Sequence, residues 1–267
     1  MVDYLDAYVA RADAVRAQEL TGTTSPFTIT VRFTGGLTRS QQDAFVAAAD
    51  RWARVIVGDL PEVELDGEVI DDVLVLASGE DIDGEGNVLG MAGPTHVRVG
   101  GAPCRGVMRF DSADLTAMER DGILVDVITH EMGHVLGIGT LWDGLVDAVG
   151  GTDPRYTGRV TMVEYGRLTG SDPEQVPVEN EGGDGSRDSH WRERVFRNEL
   201  MSSAIGGVHN PISRLTVACL IDLGYQVDLD AAEPYTFPVP VEGPALTVRR
   251  LDGRFERPEC LQVAGKV

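Results

Sequence analysis

The chain has 267 residues, 42% of them hydrophobic, which suits one sizeable core rather than several independent domains. A formal net charge of −20 counts against nucleic acid and anionic membrane surfaces as partners and favours a freely dissolved monomer. Three cysteines cannot all pair within one chain, so no disulfide framework is expected, and no apolar window reaches the length of a membrane span.

The first residues, Met1-Val-Asp-Tyr-Leu-Asp6, are acidic where a secretory signal is basic. As written the chain reads as cytoplasmic, or as secreted if it is the mature part of a longer product. Between residues 3 and 20, Leu5, Tyr8, Val9, Ala12, Val15 and Leu20 fall at roughly helical spacing. That spacing predicts an amphipathic helix docked on the domain without an inhibitory role. With the Thr21–Pro26 linker, it makes residues 1–26 an N-terminal unit.

Residues 27–33 alternate cleanly and read as a half-buried strand. After the Gly35-Gly36 turn, Thr38 and Gln41 match a capping box opening a helix to about Val57, which buries Phe45, Ala48, Ala49, Trp52 and Val55. Residues 69–77 read as a second buried strand. The acidic run Asp81 to Asn87 looks like a calcium loop only in part, because the twelfth position from Asp81 is Ala92, not glutamate. It is expected to be a solvated loop, with a weak Ca2+ site unproven. Residues 95–99 are extended, with His96 at the surface.

A strand from Gly106 to Asp111 and a helix from Ser112 to about Glu119 follow, and Asp121 is expected to cap the next helix. In that helix, residues 123–136, Leu124, Val127, Ile128 and Met132 recur at helical spacing. His130 and His134 stand four apart, share a face, and can reach one ion. Glu131 sits beside them, placed to act on a water held by that ion without ligating it. Three ionisable groups on an apolar helix are costly to bury without a shared partner. Gly137 ends the helix in a residue that tolerates a left-handed turn. This is the H-E-x-x-H pattern of zinc hydrolases.

Beyond it lie a Gly-rich segment from Gly139 to Gly151, a helix near 159–168 and an acidic loop from Pro173 to Gly185. Ser213 to Leu223 reads as an apolar helix closed by Gly224, with Cys219 as a small core residue. Four prolines between Glu233 and Pro244 precede a hairpin turn at Asp252-Gly253. A Cys104–Cys260 bridge is compatible with the sequence, though nothing demands it. Two histidines hold zinc weakly, and the further ligand must come from His96, Asp143, Glu164, Glu181, His190 or His209.

Three separated motifs then occur in one order: His130-Glu-Met-Gly-His134-Val-Leu-Gly137, Ser189-His190-Trp191 and Glu199-Leu-Met201. Together they resemble the leishmanolysin-type zinc endopeptidases of the metzincin clan. Most metzincins place the third ligand where this chain has Thr140; in leishmanolysin-like enzymes an insertion intervenes, and here 55 residues separate His134 from His190. The resemblance implies that His130, His134 and His190 hold one Zn2+, that Glu131 is the catalytic base, and that Met201 forms the methionine turn beneath the metal. The implied fold is α+β and two-lobed. Residues 27–137 would carry a twisted mixed sheet and the active-site helix; residues 138–232 would form a mostly irregular and helical lobe with the third ligand and the methionine turn. Residues 233–267 would be a Pro-rich extension. Substrates would be peptides or proteins, with the strand at Val107–Phe110 pairing with them at the cleft rim. With no cysteine before Cys104, a blocking N-terminal thiolate is not carried over. Two other readings stay open: a zinc hydrolase with Glu164 or Glu181 as third ligand, and an inactive zinc-bearing module that binds peptides or partner proteins.

Overall fold

The computed structural model describes residues 6–86, 89–183, 185–205, 209–238, 249–250, 255–256 and 258–263. In chain order come β1 (Ala7–Arg11), α1 (Ala14–Thr21), β2 (Thr28–Gly35), α2 (Arg39–Val55), β3 (Val63–Leu65), β4 (Glu68–Ile70), β5 (Val73–Glu80), β6 (Gly90–Arg98) and β7 (Pro103–Asp111). Then α3 (Ser112–Arg120) leads to α4 (Leu124–Val135), the helix of the H-E-x-x-H motif. Strands shorten after that: β8 (Val146–Asp147), β9 (Arg155–Tyr156) and β10 (Val176–Pro177) make a small sheet around α5 (Arg159–Thr169). A short α6 (Glu193–Phe196), β11 (Ala204–Ile205) and α7 (Arg214–Asp222) follow, and the tail contributes β12 (Arg249–Arg250), β13 (Phe255–Glu256) and β14 (Leu261–Val263).

The main sheet has the order β1-β2-β5-β7-β6-β13, with β14 also on β6. Strands β2, β5 and β7 are parallel; β1 runs antiparallel to β2 and β6 antiparallel to β7, while β13 and β14 run parallel to β6. Alternation along β5 divides the two faces: Val73, Val75 and Ala77 enter the main core, and Leu74 and Leu76 join a smaller cluster with Val63, Ile70 and Cys104. Burial on both faces is what a parallel centre requires. On the main-core side α2 lies against β1 and β2, and α4 against β6 and β7. The result is a mixed α+β fold, and among its described residues no helix is long and apolar enough to cross a membrane.

Where local signals are strong, the sequence reading holds. Thr38 accepts from the Gln41 N–H while Gln41 Oε1 accepts from the Thr38 N–H, the two bonds of a capping box. Phe45, Ala48, Ala49, Trp52 and Val55 are all buried on α2. Three expectations are corrected, and the question of the Cys104–Cys260 bridge is answered. Residues 3–20 are not one helix: Ala7–Arg11 pairs with β2 as the sheet's first strand, and only Ala14–Thr21 is helical. Asp121 ends α3 instead of capping α4, whose first residue follows Ile123 without a side-chain cap. Cys104 and Cys260 are both free, the first buried and the second exposed. Lastly, β7 lies inside the sheet between β5 and β6, so Val107–Phe110 cannot meet a substrate edge to edge; at that end of the sheet β6 is the last of the long strands, with the short β13 and β14 paired to it.

The acidic loop after β5 is organised around protein carboxylates rather than a cation. Ile82, Asp83 and Gly84 donate backbone N–H groups to Asp111 Oδ2, and Gly86 donates to Asp114 Oδ1. A calcium loop turns oxygens inward, and this one turns N–H groups inward. Asn87 and the Asp252-Gly253 turn lie outside the described residues.

A buried ionic knot ties α2 to α4 and to the chain after α7. Arg51, 8% exposed, donates to Asp126 on α4, to both oxygens of Glu233 and to the Asn210 carbonyl. Asp126 in turn accepts from the Asn210 backbone and side chain. Removing one member of such a knot leaves charges uncompensated. Arg51→Met is therefore expected to cost about 3–5 kcal/mol in urea unfolding, and adding Asp126→Asn with Glu233→Gln should return part of that loss.

Candidate metal centre

Helix α4 is apolar enough to be buried along most of its length, and the burial carries its ionisable residues inward: His130 is 0%, Glu131 1% and His134 6% exposed. The helical repeat puts both imidazoles on one face. His190 arrives from a separate stretch and is 3% exposed. The three Nε2 atoms lie 3.0–3.1 Å from one another.

Those contacts are not hydrogen bonds between the rings. Each Nδ1 is committed to a backbone carbonyl: His130 to Leu200 at 2.7 Å, His134 to Ile138 at 2.7 Å and His190 to Ser186 at 2.8 Å. A neutral imidazole that donates from Nδ1 has its lone pair on Nε2. Burial drives His130 down to about 4, against the upward pull of the Leu200 carbonyl, so that ring is neutral at physiological pH. Three lone pairs thus meet at one point, and a small cation there turns mutual repulsion into bonding. Zinc–nitrogen bonds of about 2.0–2.1 Å fit such a spacing. The donor set suits a metal ion, and these three histidines form a group able to hold one.

Two glycines let the pieces approach. Gly139 has φ +74°, and a Cβ there would stand 1.9 Å from the Ser189 carbonyl oxygen, so glycine alone allows the His190 segment to press against the chain leaving α4. Gly133 faces Met201: a Cβ on it would meet Sδ at 2.7 Å and the Trp52 ring at 2.9 Å. Met201 is fully buried against Gly133, which lies between the two histidines on the helix. Thr140 is occupied otherwise, its hydroxyl donating to the His134 carbonyl at 2.6 Å.

A residue whose role the sequence reading missed links the other two motifs. Glu199 is fully buried without a basic partner, and burial pushes its carboxyl above the usual range against the donors that pull it down. One oxygen accepts from the Met201 N–H at 2.6 Å, the other from the hydroxyls of Ser213 and Thr216. Thr216 also accepts from the Trp191 indole, and the Trp191 N–H donates to the Met201 carbonyl. Glu199 therefore holds the turn that offers the Leu200 carbonyl to His130, and it braces the residue after His190. Its signal was a glutamate set between Asn198 and the apolar pair Leu200-Met201.

The other ligand candidates lie elsewhere. His96 sits on β6, beside Arg105. His209 is 58% exposed and 3.7 Å from Glu233. Glu164 pairs with Arg167 and Arg214, Glu181 pairs with Arg194, and Asp143 is exposed. A carboxylate third ligand from Glu164 or Glu181 is thereby set aside.

A mixed sheet backed by an H-E-x-x-H helix, with a third histidine brought in from a distant segment, gathers three buried histidines that could hold a metal ion. Comparison with known proteins is specific. The family profile described as Leishmanolysin matches residues 59–239. The chain is 32% identical over 177 residues to leishmanolysin of Leishmania donovani, covering 61% of this chain and 28% of that protein. It is likewise 32% identical over 174 residues to leishmanolysin of Leishmania major, again covering 61% and 28%. A leishmanolysin-like peptidase of Caenorhabditis elegans is 44% identical over 64 residues, 22% of this chain and 9% of its own length. The chain belongs to the leishmanolysin family. Its matched region spans little more than a quarter of the Leishmania relatives' length, 28% in each case.

The geometry separates two histidines by experiment. Zinc affinity, measured by competition with a chelating dye, is expected to fall by orders of magnitude in His190→Ala and hardly to change in His209→Ala. Wild-type affinity in His190→Ala would contradict the three-histidine centre.

Proposed function

We propose that this chain is a zinc-dependent endopeptidase, with His130, His134 and His190 as ligands and Glu131 as general acid and base. The observation that carries the proposal is the convergence of three buried Nε2 atoms beside a buried glutamate on the same helix. Three protein ligands leave a fourth position open, the arrangement of a catalytic rather than a structural site. When bound, the ion would supply Lewis acidity, polarising a peptide carbonyl and lowering the pKa of water toward about 7.

The protein's own groups do the rest. The three backbone carbonyls fix each ring's tautomer and orientation, as partners of metal-ligating histidines generally do. Glu131, adjacent to His130 on α4, takes a proton from the attacking water and returns it to the departing amine. Met201 and Trp52 fill the space beneath the helix and keep it from shifting. An intact Glu131 favours catalysis over a purely binding role, for which a general base has no use.

Metal analysis alongside cleavage of a peptide library tests this reading. Glu131→Ala is expected to keep one zinc per chain and lose at least about a hundredfold in rate, the usual scale for general acid–base catalysis. Loss of the metal with the activity would make Glu131 a ligand, and undiminished cleavage would remove it from the mechanism.

A further inference from the structure

Strand β6 is the outermost of the long strands, and it runs against α4, the helix of His130, Glu131 and His134. An extended peptide adding to this sheet beside the metal centre must therefore use the free edge of β6. The chain's own tail takes that edge. β13 pairs in parallel with Gly90 and Met91, and β14 pairs in parallel with His96, Val97 and Arg98. Phe255 stands opposite Gly90 and Leu261 opposite His96, so both pairings keep a single register with no residue gained or lost between them.

Between the two pairings, Pro94 on β6 and Pro258 on the tail each lack an N–H to donate. Pro258 still lies on the strand. A Cβ on Gly93 would stand 3.0 Å from Pro258 Cδ and 4.0 Å from the Thr140 methyl. Since Thr140 bonds the His134 carbonyl, the tail crosses beside the end of the metal-binding helix.

The attachment is light. Leu261 is 53% exposed, Cys260 and Gln262 are exposed, and of β14 only Val263 packs against a core cluster. Strand β14, held mainly by backbone bonds with little apolar burial, opens at small cost. Whatever direction a peptide runs, it needs the same outward N–H and C=O groups of β6 that the tail engages. Tail and peptide exclude each other.

Resting on the peptidase reading above, we propose that β13 and β14 form a self-inhibitory strap that occupies the substrate-binding edge of β6 and must leave before an extended peptide is cleaved. In an equilibrium between strapped and open forms, the apparent affinity for peptide is reduced by the open fraction.

Adjacent N–H groups in a strand point to opposite sides, so replacing both Leu261 and Gln262 by proline removes whichever one bonds β6. Both side chains are exposed, and the core is left alone. In the full chain, Leu261→Pro with Gln262→Pro is expected to lower KM for a cleavable decapeptide at least about fivefold and leave kcat unchanged. In a Glu131→Ala background, the same decapeptide carrying a fluorescein label should bind the double-proline chain tighter by a similar factor. A synthetic peptide of residues 255–263, added to the double-proline chain, should compete with the label. Equal decapeptide affinity with and without the prolines, or no competition by the synthetic segment, overturns the strap. Absence of cleavage by every form would instead overturn the peptidase reading, with the binding comparison still deciding the strap.

Discussion

Everything at the centre depends on three backbone carbonyls. The oxygens of Leu200, Ile138 and Ser186 each take the Nδ1 proton of one histidine, and this leaves three Nε2 lone pairs directed at one point. No side-chain carboxylate takes any of these three protons. Each carbonyl also belongs to a different piece of chain: the methionine-containing turn, the exit from α4, and the loop before His190. Precision at the three nitrogens is thus inherited from backbone positions, and the buried network of Glu199, Thr216 and Trp191 holds the turn that carries Leu200.

The two halves of the molecule use different physics. The sheet and its two helices are held by apolar alternation, with Val73, Val75 and Ala77 on one face of β5 and Leu74 and Leu76 on the other. The part after α4 has short strands and few long apolar runs, and it relies on buried polar groups. Glu179 is an example: it gathers the N–H groups of Asn180, Glu181 and Glu193 and the Ser203 hydroxyl. Aromatic rings fill what remains, with Trp142, Tyr156 and Trp191 in mutual contact beneath the third histidine's segment. Arg51 joins the two regimes, because its partners come from both.

Much of the site was legible because its signals are local. Spacing alone put His130 and His134 on one face, and the Thr38–Gln41 capping box could be read directly. His190 needed the resemblance, since no periodicity connects it to a helix 55 residues earlier. Residues 7–11 misled because Tyr8, Val9, Ala10 and Ala12 suit a helix face nearly as well as a strand, and pairing with β2 decided the matter. The order of strands was equally hidden: nothing within Gly90–Arg98 or Pro103–Asp111 says which lies outside. The interior roles of Arg51 and Glu199 were hidden because they depend on partners far along the chain.

The close approach of Gly139 to Ser189 has a bearing on how such chains vary in length. The chain leaves the metal centre at Gly139 and returns to it at Ser189, so everything between is a closed excursion whose two ends meet. Lengthening a loop inside it carries only the entropy of a larger ring, about 0.6 kcal/mol for each doubling. Insertions there can remodel the walls around the cleft, change what it admits, or add whole modules, while the three nitrogens keep their places. The interval before His190 is therefore where added length would disturb the three nitrogens least.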